Sequence, residues 1–143
     1  PVHHFDMYAT AASAAGAPLP DDRKIDGVDL LPHITGEAKG QPHRALFWRS
    51  GASRSALVDG WKLNTSDPPG RSWLFDLEAD PTEQRDLSAE RPDKLAELMT
   101  AMDSHDAEQA PSAWPSRAMM PVNIDRDRSR PDAPDDEYIY WSN

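Results

Sequence analysis

The 143-residue chain has no cysteine. That excludes disulfides, thiolate nucleophiles and thiolate zinc sites, and leaves the compartment open between cytoplasm and periplasm. Glycine is scarce beside proline, 7 against 14, and hydrophobic residues make up only 38%. Much of such a chain must be turn, extended loop or tail, and a large independent core is not expected. Positive charge is also short: 15 Lys and Arg face 25 Asp and Glu, a formal charge of −10. Long-range repulsion then argues against nucleic acid or an anionic membrane as partner. No apolar run approaches the roughly 20 residues needed to span a bilayer, and the chain reads as soluble. A glycine-rich phosphate loop, a GxSxG elbow and an HExxH helix are all missing. The length suits one ordinary domain or one part of a larger protein, and the start at Pro1 without a methionine suggests an engineered start, a processed product or a piece of a longer protein.

What is present reads as an α+β module. Phe5, Tyr8, Ala9, Ala12 and Ala15 recur at helical spacing, predicting a helix that Gly16 and Pro18 end. Asp6 falls near its start, where a carboxylate suits the dipole and the unsatisfied amides. Residues 17–44, with prolines at 18, 20, 32 and 42, read as loop with a short helical turn around Val28 to Ile34. Strands are predicted at 45–49, 54–58, 61–64 and 72–77, with Asp59-Gly60 as a two-residue hairpin turn. Trp61 and Leu63 then share a sheet face. Leu95, Leu98, Met99 and Met102 form the apolar stripe of a helix over 91–107 that should cover one face of the sheet. Residues 111–137 read as an extended arm, and Tyr138-Ile139-Tyr140-Trp141 as its anchor. The expected organisation is thus 1–44, 45–110 and 111–143.

Few residues offer chemistry. His3, His4 and Asp6 are donor types for a metal, but neighbouring residues rarely point at one ion and no further ligands stand nearby, so structural or substrate-lining roles are favoured. Asp125, Asp127, Asp132, Asp135, Asp136 and Glu137 lack the spacing of a calcium loop and are interleaved with Arg126, Arg128 and Arg130, which reads as a solvated charge run. With 25 acidic residues, no catalytic carboxylate pair stands out.

Taken in order, HHFDMYATAASAAGAPLPDDRKIDGVDLLPHI, ALFWR, SALVDGWKLN, WLFDLEADPTEQRDLSAERPDKLAELM and DEYIYWSN resemble the C-terminal part of type I sulfatases, the formylglycine-dependent arylsulfatase family. The most specific piece is the phrase DP-x-E-x-x-D/N-L ahead of the last helix, matched by Asp80, Pro81, Glu83, Asp86 and Leu87. Where that family often has proline before the threonine of its first helix, this chain has Ala9-Thr10, a change that favours helix. The resemblance implies the C-terminal subdomain of an alkaline-phosphatase-like sulfatase fold: about four antiparallel strands packed by a C-terminal helix, with an N-terminal helix and an extended C-terminal arm. It implies a parent that hydrolyses a small-molecule sulfate ester with formylglycine and calcium, both supplied by an N-terminal catalytic domain.

The family's C/S-x-P-x-R nucleophile motif is not found here. Ser66-Asp67-Pro68-Pro69-Gly70 has its arginine one place late, Ala113-Trp114-Pro115-Ser116-Arg117 has alanine at the nucleophile, and Ser129-Arg130-Pro131 lacks the arginine. No catalytic or metal-binding residue is therefore assigned, and the region alone is expected to be inactive. His3, His4, Trp48, Arg49 and Arg54 are the candidates for lining the substrate pocket, since imidazole and guanidinium suit an anionic or sugar ligand. Two other readings stand beside this one. The first is a non-catalytic docking module using Trp114, Tyr138, Tyr140 and Trp141. The second is part of a related phosphoester or phosphonate hydrolase.

Overall fold

A computed structural model describes residues 1–51, 53–66, 70–111, 119–123 and 138–142. Two compact units divide the chain, Pro1–Leu46 and Phe47–Asn143.

The first unit is built on α1 (Asp6–Ala14) and the single turn α2 (Leu31–Ile34). Helix α1 ends in paired bonds of the Schellman type: Gly16 N–H donates to the Ser13 carbonyl and Ala17 N–H to the Ala12 carbonyl, with Gly16 at φ 65°. The face that α1 turns into its own unit is not the apolar one expected from Phe5, Tyr8 and the alanines. Tyr8 is 54% exposed and Met7 66%, whereas Ala9 and the carboxylate of Asp6 are buried. A polar row one helical turn apart does the holding. Thr10 Oγ1 accepts from Leu30 N–H at 3.0 Å, and Ser13 Oγ donates to Asp29 Oδ2 at 2.5 Å. Residues 28–31 are thereby strapped along the helix.

Gly27 makes that strap possible. A Cβ there would stand 2.3 Å from the Phe5 carbonyl oxygen, a backbone atom that cannot rotate away. Gly27→Ala is expected to push the strap off the helix at a cost of about 1–3 kcal/mol. Faster hydrogen exchange at the α1 amides would register it, and unchanged exchange would show that the strap yields freely.

The second unit contains a four-stranded antiparallel meander in the order β1 (Ala45–Ser50, which begins just before the unit boundary), β2 (Ser53–Val58), β3 (Trp61–Ser66) and β4 (Arg71–Asp76). Asp59 and Gly60, at φ 48° and 84°, form the β2–β3 turn with both residues left-handed, as a right-twisted hairpin requires. In the registers given by the ladders, Ala56, Leu63 and Leu74 make one row across the sheet, and all three are fully buried. Helix α3 (Pro92–Ala107) covers that row with Leu98 and Met102, which are also buried. Its proline stands in the first turn, where no amide partner is lost. Trp61 lies on the same side as Leu63, with the Arg91 and Lys94 cations 5.2 and 5.8 Å from its ring.

The phrase DPTEQRDL closes the free edge of β4. Asp86 Oδ1 accepts from Leu74 N–H at 3.0 Å, and Leu87 N–H donates back to the Leu74 carbonyl at 2.7 Å. Asp80 Oδ2 accepts from Arg85 N–H at 2.8 Å and shapes the turn between. Both outward backbone groups of Leu74, at the middle of an edge strand, are thereby satisfied within the chain. Beyond α3, β5 (Met119–Asn123) and β6 (Tyr138–Ser142) pair as an antiparallel ribbon, Met119 opposite Ser142 and Asn123 opposite Tyr138. The acidic run 125–137 and Trp114 lie outside the described residues, as do the side chains of Tyr138, Tyr140 and Trp141.

Candidate ligand cleft on the open sheet face

Strand alternation sends the neighbours of the buried row to the other side of the sheet. There Ser55, Asn64 and Trp73 form a transverse row, in register across β2, β3 and β4. The row floors a depression of about 540 Å³, within the size range of small-molecule sites. Trp48 of β1, 40% exposed, and the deeply buried Trp73 both line it. Ser55 Oγ donates to Asn64 Oδ1 at 2.6 Å, which fixes the amide. At one side Lys62 Nζ donates to Glu83 Oε1 at 2.6 Å. Glu83 occupies the left-handed region at φ 58°, a costly conformation for a residue with a side chain and one that concentrates at functional positions.

The five residues proposed from sequence fall in different places. Trp48, Arg49 and Arg54 border this cleft. Arg54 turns its guanidinium toward α3, where Nη1 lies 2.9 Å from both Asp103 Oδ1 and Asp106 Oδ2. The Asp106 bond, set against partial burial and joined by the Asp103 bond, raises its pKa further above the ordinary arginine value. Arg49 Nη2 donates to the Ala110 carbonyl at 3.2 Å. His3 and His4 belong to the first unit. The His3 ring lies 4.2 Å from His4 and stacks on Phe5 at 4.1 Å, and Phe5 meets His43 edge-on. Burial, followed by the nearby His4 charge, lowers the His3 imidazole below its ordinary value against the opposing pull of Asp6.

Asp6 holds the first unit rather than a metal. Its Oδ2 accepts from His3 N–H at 2.7 Å and its Oδ1 from Val28 N–H at 3.0 Å, and His43 Nε2 lies 2.8 and 2.9 Å from the two oxygens. Burial by itself would raise this carboxyl, but the His3, Val28 and His43 hydrogen bonds outweigh it and hold the group below the usual carboxylate range. Its acceptor sites are committed to these donors, so it does not fit a calcium ligand set. Among the described residues, no three His, Cys, Asp or Glu are gathered closely enough to hold a metal ion. No helix of the described residues is long and apolar enough to cross a membrane.

Ser55, Lys62, Asn64, Trp73 and Glu83 were not among the sequence candidates. The signal was the alternation in SRSALVDGWKLNTS, which puts Ser53 and Ser55 on one side and Arg54, Ala56 and Val58 on the other.

No protein-family model matches the chain. Mouse steryl-sulfatase is 30% identical over 138 residues, spanning 73% of this chain and 22% of that protein. YdeN of Escherichia coli strain K12, an uncharacterized sulfatase, is 46% identical over 44 residues, 31% of this chain and 8% of that one. The crystal structure of Ps i-CgsB superposes with a TM-score of 0.66 at 21% identity, covering 80% of this chain and 26% of that chain, a likeness of fold. The chain thus spans about a fifth or less of the length of the curated relatives it matches. By its sequence it is a partial sulfatase-family region, homologous to steryl-sulfatases and bacterial sulfatases, and it shares the fold of part of a putative sulfatase from Bacteroides thetaiotaomicron, with a TM-score of 0.58 at 22% identity over 68% of this chain and 23% of that chain.

Proposed function

We propose that this region is the smaller subdomain of a sulfatase whose full-length form hydrolyses a small-molecule sulfate ester. In that protein it caps the catalytic domain and lines the outer part of the substrate pocket. The homology to steryl-sulfatase and to YdeN over a small part of each carries the reading. The formylglycine and calcium of such a parent would be supplied by its N-terminal catalytic domain.

Support for the capping role comes from α1, which leaves Met7 and Tyr8 exposed on a helix otherwise rich in alanine. Small side chains let another surface approach closely, and apolar ones reward burial. The catalytic domain is the partner this face would meet. For the pocket, Trp48 and Arg49 supply an aromatic surface and a cation, while Arg54 fixes β2 against α3. His3 and His4, in the first unit, are proposed on their own chemistry as imidazoles suited to an anionic or sugar ligand.

Arg49→Ala and His4→Ala in the full-length parent test the lining role. Each is expected to raise KM for the sulfate ester about fivefold, the equivalent of about 1 kcal/mol of lost contact, with kcat little changed. Unchanged KM and substrate preference in both variants would remove these side chains from the pocket.

A further inference from the structure

We infer that the cleft on the open sheet face binds an uncharged pyranose unit, with Trp48 as its stacking surface and Ser55, Asn64, Lys62 and Glu83 as readers of its hydroxyls. The ring of a pyranose has an apolar C–H face and a polar rim. The C–H face suits the electron-rich face of an indole, and the rim needs donors and acceptors at fixed positions. The cleft offers both: the half-exposed Trp48 indole, and a floor whose amide and hydroxyl are already locked to each other at 2.6 Å.

The charges favour a neutral sugar unit over a sulfated one. Lys62 is bound to Glu83, and Arg54 is answered by Asp103 and Asp106. Arg49 already donates to the Ala110 carbonyl. A second sulfate here would meet Lys62 and Arg54 already paired with carboxylates, within a chain of net charge −10. The Lys62–Glu83 pair instead supplies a donor and an acceptor side by side, which suits adjacent hydroxyls. The left-handed Glu83 that delivers this carboxylate has its strain accounted for by that placement.

The inference rests on the proposed pocket-lining role only for its place in the parent protein; binding itself is a property of this chain. Maltotriose, cellotriose and a 6-O-sulfated cellotriose are titrated into the 143-residue chain and followed by saturation-transfer NMR, with circular dichroism confirming the fold of each variant. Saturable millimolar binding of at least one neutral sugar is expected, and the sulfated form should bind no more tightly. Trp48→Ala and Asn64→Ala should each weaken binding at least tenfold. No saturable binding of either neutral sugar to the folded chain would overturn the inference, as would full affinity in a folded Trp48→Ala variant. If Trp48→Ala does not fold, Asn64→Ala decides alone. Tighter binding of the sulfated sugar would overturn the neutral assignment. Loss of sulfate hydrolysis by the parent would bear on the proposed function and leave these titrations unaffected.

Discussion

Replacing Asp6 by alanine is expected to destabilise the first unit by about 3–5 kcal/mol, the scale of losing several hydrogen bonds to one buried charged group. The side chain is fully buried and gathers His3 N–H, Val28 N–H and His43 Nε2, so the truncation strands donors from three separate segments at once. Each stranded buried donor adds its own desolvation cost. Hydrogen exchange at the α1 amides is the direct measurement, because it reads the local opening of this unit. Protection should fall by two or more orders of magnitude, and protection equal to wild type would refute the role of the carboxylate. The same group sets a pH dependence. Its folded value lies below the ordinary aspartate value. Its contribution is therefore present above that ordinary value and is lost as pH falls through the folded one. Acid should open α1, and Asp6→Asn should remove most of that acid dependence while costing less stability than alanine.

Leu63→Ala carries the second large effect, a loss of about 2–5 kcal/mol in the second unit. Leu63 is fully buried at the centre of the row Ala56, Leu63, Leu74, under Leu98 and Met102 of α3. Removing its branched end leaves a hole between sheet and helix that backbone hydrogen bonds prevent from closing. Against a whole-domain stability of about 5–15 kcal/mol, that is a large fraction. The urea midpoint should drop with little change in slope. Thr100→Ala, on the exposed side of α3, should shift it within about 0.5 kcal/mol. Equal midpoints for the two variants would contradict the assignment of the core.

The elements carried by local rules were legible in the sequence. Asp59-Gly60 announces its own turn, because only a pair tolerant of positive φ closes a two-residue hairpin. The stripe at 95, 98, 99 and 102 named the helix that covers the sheet, and two of its four residues, Leu98 and Met102, are the buried ones. Strand ends moved by one or two residues: β3 runs on to Ser66 and β4 begins at Arg71. What was not legible depended on distant partners. The spacing of Phe5, Tyr8, Ala9 and Ala12 describes an apolar face, yet the segment that packs on α1 within its own unit is held through Asp6, Thr10 and Ser13. Periodicity reports that a face exists and not what covers it. His43 lies 37 residues from Asp6 in the chain, and nothing local links them.

The cleft was half legible. Trp48 and Arg49 were reachable from chemistry alone, as large or charged side chains on a strand. Ser55 and Asn64 are unremarkable residues that acquire a role only when the register of β2, β3 and β4 sets them beside Trp73. Arg54 looked like Arg49 in the sequence. Their partners separate them: Arg54, on the side of Ala56, meets the aspartates of α3, whereas Arg49 meets the Ala110 carbonyl just beyond that helix. The phrase DPTEQRDL matched a family pattern before its purpose was visible. Its Asp86 and Leu87 seal the edge of β4, and its Glu83 holds Lys62 at the cleft.

Side-by-side assay of an aryl sulfate and an aryl phosphate, with the full-length parent and with the 143-residue chain alone, tests the central claim most directly. The account predicts turnover of the sulfate by the parent, little turnover of the phosphate, and no enzyme-like rate from the isolated chain. Sulfate hydrolysis by the isolated chain, or a parent that cleaves the phosphate and leaves the sulfate intact, would contradict it.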